Sequence, residues 1–196
     1  MTRPLTPAEA TPGTALQEDL WKPVLLRALA ALGFGAVTIF WATPSVEVMA
    51  WAGGTYLLAT GALVLWGTPK AGFTRDSTPG KLLSAAGLIL AGSGAALLLF
   101  HGDVPFGVMA ALGLGLAGAI ELVCGLRHRG GHVLARDWIA SGVIGLGTAA
   151  ALPFFISLGA HALLGVAGGG AILAGVLWVL SALTLRHDAR GAAAKP

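Results

Sequence analysis

Six apolar runs, at about 23–41, 46–66, 82–100, 104–126, 138–157 and 160–185, dominate this chain. Each is close to the ~20 residues an α-helix needs to cross a ~30 Å hydrocarbon core at ~1.5 Å per residue. Backbone N–H and C=O groups in lipid find no water, so each run must satisfy its own hydrogen bonds, and a helix does so within one segment. The chain therefore reads as all-α, a polytopic membrane protein whose six transmembrane helices fill residues 23–185. Composition agrees: 56% of the 196 residues are hydrophobic and 11% are charged, against ~25% charged in an average soluble domain. The 30 glycines lie within the apolar runs and follow no Gly-X-Y period, which excludes a collagen-like chain and fits close packing of helices in lipid.

The basic residues set the orientation. All 12 lysines and arginines fall on alternate connections: Arg3, Lys22 and Arg27; Lys70, Arg75 and Lys81; Arg127, Arg129 and Arg136; Arg186, Arg190 and Lys195. The short turns at 42–45, 101–103 and 158–159 carry none. By the positive-inside rule both termini and the connections 67–81 and 127–137 are expected to be cytoplasmic. An odd number of spans would break this alternation. Residues 1–22 contain Pro4, Pro7, Pro12 and Gly13 and read as a flexible cytoplasmic tail, not a signal peptide; 186–196 read as a second tail. Trp21, Trp66 and Trp138 are expected as anchors at the basic interface, with Trp41 and Trp51 at the opposite one.

The net charge of +3 does not imply nucleic acid, because no basic stripe with interleaved aromatics exists. The expected partners are the bilayer itself and anionic lipid headgroups at the cytoplasmic loops, where His128 and His132 stand beside Arg127 and Arg129. A homo-oligomer or another membrane protein is the remaining class of partner.

Short links force antiparallel neighbours, which predicts three helical hairpins at about 23–66, 82–126 and 138–185. They look like repeats. Gly61, Gly118 and Gly175 are spaced by 57 and again by 57, and the residues seven before them are Gly54, Ala111 and Gly168. An i, i+7 spacing returns to nearly one helix face, so each second helix offers a groove of small residues for helix packing. Arg27 and Pro44 are 17 apart, as are Arg136 and Pro153, a second repeat signal.

Glu121 is the one carboxylate well inside a run, and Arg27 lies just inside the first. Intramembrane charges are expensive, so the two are the candidate intramembrane ion pair. The bland alternative is that both snorkel separately to the interface. His101 and His161 on the far turns, near Glu47 and Asp103, are candidate external pH sensors, against a plain reading as hydrated turn residues. The single cysteine, Cys124, permits neither an intrachain disulfide nor a cysteine metal site, and no metal or cofactor is expected. Ser93 and Ser141 lack a histidine at matching depth, and no Walker, dinucleotide or HExxH motif occurs, so no catalytic residue is assigned and the chain is not expected to be an enzyme.

Leu25-Leu26-Arg27 leads into Gly33-Phe34-Gly35, a turn at Pro44 and then Tyr56-Leu57-Leu58-Ala59-Thr60-Gly61; related text recurs from Gly113 to Glu121 and from Trp138 through Gly147 to Pro153. Over about residues 21–187 this pattern resembles the HdeD-like acid-resistance membrane proteins, a family built from a short repeated membrane domain of unknown function. The resemblance implies a six-helix inner-membrane protein associated with acid resistance, and it implies no catalytic residue or cofactor. The expected function is accordingly envelope or acid-stress tolerance without catalysis. The alternatives are a small transporter or channel with a polar path through Glu121, and an accessory subunit or scaffold of a membrane complex.

Overall fold

A computed structural model describes residues 19–74 and 76–193, with side chains to 191. The tail 1–18 with Arg3, and also Arg75 and Lys195, lie outside the described residues. Among the described residues six α-helices follow one another: α1 Trp21–Phe40, α2 Val46–Lys70, α3 Thr78–Leu99, α4 Asp103–Arg127, α5 Ala135–Ala151 and α6 Ala160–Ala193. All six, the fifth together with a 3₁₀ stretch that carries it on to Leu158, are long and apolar enough to cross a membrane. This is a multi-pass helical membrane protein.

Local chemistry explains the helix ends. Ser45 Oγ accepts the Val48 amide at 3.3 Å and Ser77 Oγ accepts the Gly80 amide at 3.2 Å, each capping donors that the first turn leaves free. Gly159, with φ of 81°, makes the reversal before α6 in a left-handed conformation that a side chain would resist. The fifth run is not one α-helix as its apolarity suggests. It becomes a 3₁₀ stretch over Leu152–Leu158, where Pro153 supplies no N–H to an α-helical bond. At the basic end α2 and α3 extend beyond the apolar runs, so their connection shortens to 71–77. Likewise α6 continues to Ala193, through most of what the sequence suggests as a tail.

The helices form a closed ring in which α6 returns to α1. The inner helices α2, α4 and α6 also touch one another across the axis, while α1, α3 and α5 fill the notches outside them. Helices joined by the short turns are neighbours, as expected, but they are not the most intimate pairs. Those are α2 with α3, α4 with α5, and α6 with α1.

The repeated glycines explain this. A side chain placed on Gly118 would meet the Gly142 carbonyl at 3.0 Å, and one on Gly142 would meet the Gly118 carbonyl at 2.6 Å. Gly61 faces the Gly87 carbonyl and the Ala91 amide in the same manner, and Gly175 lies against Ala28 O at 3.3 Å and Leu32. One heptad away, Gly54 meets Gly94, and Gly168 meets Thr38. The small-residue groove of each second helix therefore receives the first helix of the next hairpin, not of its own. The crossings make Ala28, Gly87 and Gly142 equivalent, and with them Arg27, Ala86 and Ser141. The 17-residue spacing that matches Arg27 with Arg136 is thus not the structural register.

Two apolar clusters fill the bundle. One reaches from the far end to the middle through Met49, Leu57, Phe106, Leu163 and Leu164. The other lies at the basic end, with Leu20, Val24, Leu83, Leu134, Trp138 and Trp178. Large side chains such as Leu88, Leu99, Phe154 and Leu173 stand exposed on the outside, where lipid is their solvent.

Candidate functional site

Between the two clusters lies a polar layer. Val64, Glu121 and Trp178 are each three residues past a repeated glycine and come from the three inner helices. The positions that cross them from the outer helices are Ala86, Ser141 and Arg27. The layer is apolar where α2 meets α3 and polar at the other two crossings.

Arg27 Nη2 stands 2.6 Å from Glu121 Oε1, and the two side chains are 15% and 2% exposed. The depth of the two residues makes the meeting possible. Arg27 is six residues past the start of α1 and Glu121 six before the end of α4, so each lies ~9 Å inside its helix at ~1.5 Å per residue. Arg27 belongs to an outer helix that does not adjoin α4, and its side chain reaches inward over Trp178, with the guanidinium carbon 4.5 Å from the ring centroid. Stacking on an indole face stabilises a weakly hydrated guanidinium. Ser141 donates to Glu121 Oε2 at 2.5 Å and lies 3.5 Å from Arg27 Nη2, a marginal bond.

Satisfaction is incomplete. The ion-pair contact is close, but its direction leaves Glu121 Oε1 without a well-aligned hydrogen bond; Thr60 Oγ1 and Trp178 Nε1 are likewise buried without partners. Thr38, Thr55, Thr68 and Thr184 all donate to carbonyls of their own helices, a bond that the buried Thr60 does not make. These atoms line two cavities of about 40 Å³ each, one on either side of the ion pair. The cavity toward the basic end is bounded by Leu20, Val24, Ala71, Leu134, Trp138 and Trp178. The deeper one is bounded by Tyr56, Thr60, Ser141 and Thr148. A water needs ~10–15 Å³ by this measure and two to four polar partners, so each cavity has room for a few waters and no organic solute. Farther along the axis Phe34 stacks on Tyr56 at 4.6 Å, and Leu57, Phe106 and Leu163 close the path.

The helix-packing glycines Gly54, Gly61, Gly118, Gly168 and Gly175 lie at the crossings already described. His101 and His161 are exposed and are not brought together in a polar contact. The His101 ring is 3.1 Å from Leu98 O and presents an edge to Trp51. Trp138 is not an interfacial anchor: it is buried and stacked on His132 at 4.6 Å between centroids. Trp21 and Trp66 do sit beside basic side chains, Arg186 and Lys70 respectively. The rings of His128 and His132 are turned into the protein, His128 to Cys124 O at 2.9 Å and His132 to Ala71 O at 2.9 Å. At the same end Asp19 pairs with Lys22 at 2.6 Å, and the ammonium holds its carboxyl below the usual carboxylate range.

Sequence reasoning missed Trp178, Thr60 and the role of Ser141. The period of 57 contains the missing signal for Trp178, because it takes Val64 to Glu121 and Glu121 to Trp178. No known protein family, curated protein or solved structure matches the chain.

Proposed function

We propose that this chain is an HdeD-like multi-pass protein of the bacterial plasma membrane that contributes, without catalysis, to envelope or acid-stress tolerance. Its working element is the Arg27–Glu121 pair, approached from the cytoplasmic side. The observation that carries this reading is a charged pair spanning the bundle axis with a water-sized cavity on each side. Replacing a buried pair with apolar side chains is often neutral or stabilising, so a pair kept for packing alone has no energetic advantage. The orphaned atoms of Thr60, Glu121 and Trp178 favour ordered water in both cavities. Their volume limits what can reach Glu121 to water, protons or ions of similar size. The positive-inside rule makes the basic end cytoplasmic, and the first cavity lies toward that end.

A deletion strain tests the proposal. After an acid shift, wild-type protein restores growth and cytoplasmic pH, while Glu121→Gln expressed at equal level does not. Equal rescue by both proteins overturns the role of the pair. No change on deletion overturns the stress function.

The alignment of the two cavities along the axis favours a second reading, a small transporter or channel. The apolar plug of Leu57, Phe106 and Leu163 opposes open conduction. Proton flux in proteoliposomes that disappears in Glu121→Gln would select the second reading, and a tight bilayer would select the first.

A further inference from the structure

We infer that His132 is a pH-sensitive clasp that closes the basic-end mouth of the cavity leading to Arg27 and Glu121. The inference rests on the proposed site and concerns its regulation. His132 stands on the connection between α4 and α5 and binds the connection between α2 and α3, 61 residues away in sequence. Its Nδ1 accepts the Leu134 amide at 3.1 Å, which fixes that nitrogen as unprotonated; its Nε2–H therefore donates to Ala71 O at 2.9 Å. The ring packs against Phe73 at 5.1 Å and Trp138 at 4.6 Å, and these two rings also touch each other, 5.9 Å apart. Ala71, Leu134 and Trp138 are themselves walls of the basic-end cavity. One imidazole thus ties together three parts of the mouth.

A proton on Nδ1 puts one N–H against another and abolishes the Leu134 bond, while Nε2 continues to donate. The cation would also be half-buried, with part of its hydration lost. Burial holds the His132 pKa below its ordinary 6.5, the Ala71 bond partly offsets this, and the charge of His128, the titratable group bearing on it, lowers it further. His128 also presents its ring to Phe73, at 5.3 Å. The direction for the switch follows. A histidine with a depressed pKa in the closed form stabilises that form fully above about 6.5, and the stabilisation is lost as pH falls toward the depressed value. Across that interval the ratio of open to closed mouth rises by up to ~10-fold per pH unit.

Hydrogen–deuterium exchange of the full chain in lipid nanodiscs tests the clasp, with rates corrected for the intrinsic pH dependence. Peptides covering 71–74 and 132–138 are expected to be protected at pH 7.5 and to gain exchange below about 6.5, by up to ~10-fold per unit. In His132→Gln the same peptides exchange independently of pH, whereas His128→Gln keeps the acid step. His132→Asn retains an acceptor for Leu134 and is also expected to be pH-independent, so the test survives if the glutamine variant misfolds. An acid step that persists in both His132 variants, or no step in the wild type, overturns the clasp. These outcomes are independent of the deletion-strain assay. A failed rescue experiment removes the proposed function and leaves the exchange result standing, and the converse also holds.

Discussion

Separating Arg27 from Glu121 is expected to cost more than losing both. In Glu121→Gln the guanidinium, 15% exposed, loses its counter-charge and keeps the Trp178 face at 4.5 Å, a marginal contact with Ser141 at 3.5 Å and a neutral amide oxygen as acceptor. Breaking a buried pair from one side typically costs ~3–5 kcal/mol. The retained cation–π contact and the ability of a long arginine to move its head toward the interface place this variant at the lower end, about 3 kcal/mol. Arg27→Met leaves a carboxylate that is 2% exposed with one hydrogen bond, from Ser141, and is expected to lose a similar ~3 kcal/mol. The double variant Arg27→Met/Glu121→Gln removes both charges but buries an amide N–H without an acceptor, and is expected to fall within ~1–3 kcal/mol of the wild type. Reversible unfolding in bicelles, followed by steric trapping, measures all four proteins. A coupling of at least ~3 kcal/mol is expected; additivity to within ~0.5 kcal/mol would refute the pair as an energetic unit.

The same assay separates the glycines by position. Gly118→Ala is expected to lose ~1–3 kcal/mol because the added methyl meets the Gly142 carbonyl. Gly33→Ala, where nothing lies within 4 Å, is expected to be neutral or to gain ~0.5–1 kcal/mol from helix propensity. The reverse order would contradict the ring's crossings. Trp178→Phe retains an aromatic face for Arg27 and removes an unpartnered N–H, so its loss should stay near ~1 kcal/mol, whereas Trp178→Ala should lose ~3–5 kcal/mol. Cysteines introduced at Gly72 and Gly130 of cells carrying Cys124→Ala should resist an impermeant thiol reagent, while those at Ala42 and Gly159 should react. Labelling on the opposite side would invert the assigned topology.

How much was legible beforehand differs by level. The six spans follow from apolar length, because lipid leaves the backbone no alternative to the helix, and the structure has all six. The spacing of 57 gave the packing residues but not their partners. Short loops suggest partnership within a hairpin, yet the small faces of α2, α4 and α6 turn toward the next hairpin because glycine and alanine there admit the closest backbone approach. Arg27 and Glu121 stand out as charges in an apolar text. Trp178 and Ser141 do not: an aromatic and a hydroxyl are ordinary in membrane helices, and only the crossing register reveals that they share the layer. His132 looks like part of a basic loop, and its burial depends on the arrival of Phe73 and Ala71 from a connection distant in sequence.

Solid-state NMR of the chain in lipid bilayers, with ¹⁵N in the arginine guanidinium and ¹³C in the glutamate carboxyl, measures the central contact. A strong dipolar coupling between Arg27 and Glu121, consistent with the 2.6 Å nitrogen–oxygen approach and lost in Glu121→Gln, is the expected result. An Arg27 guanidinium with no carbonyl-carbon coupling and with contacts to lipid phosphate would mean that the side chain snorkels away, and the axial site would not exist.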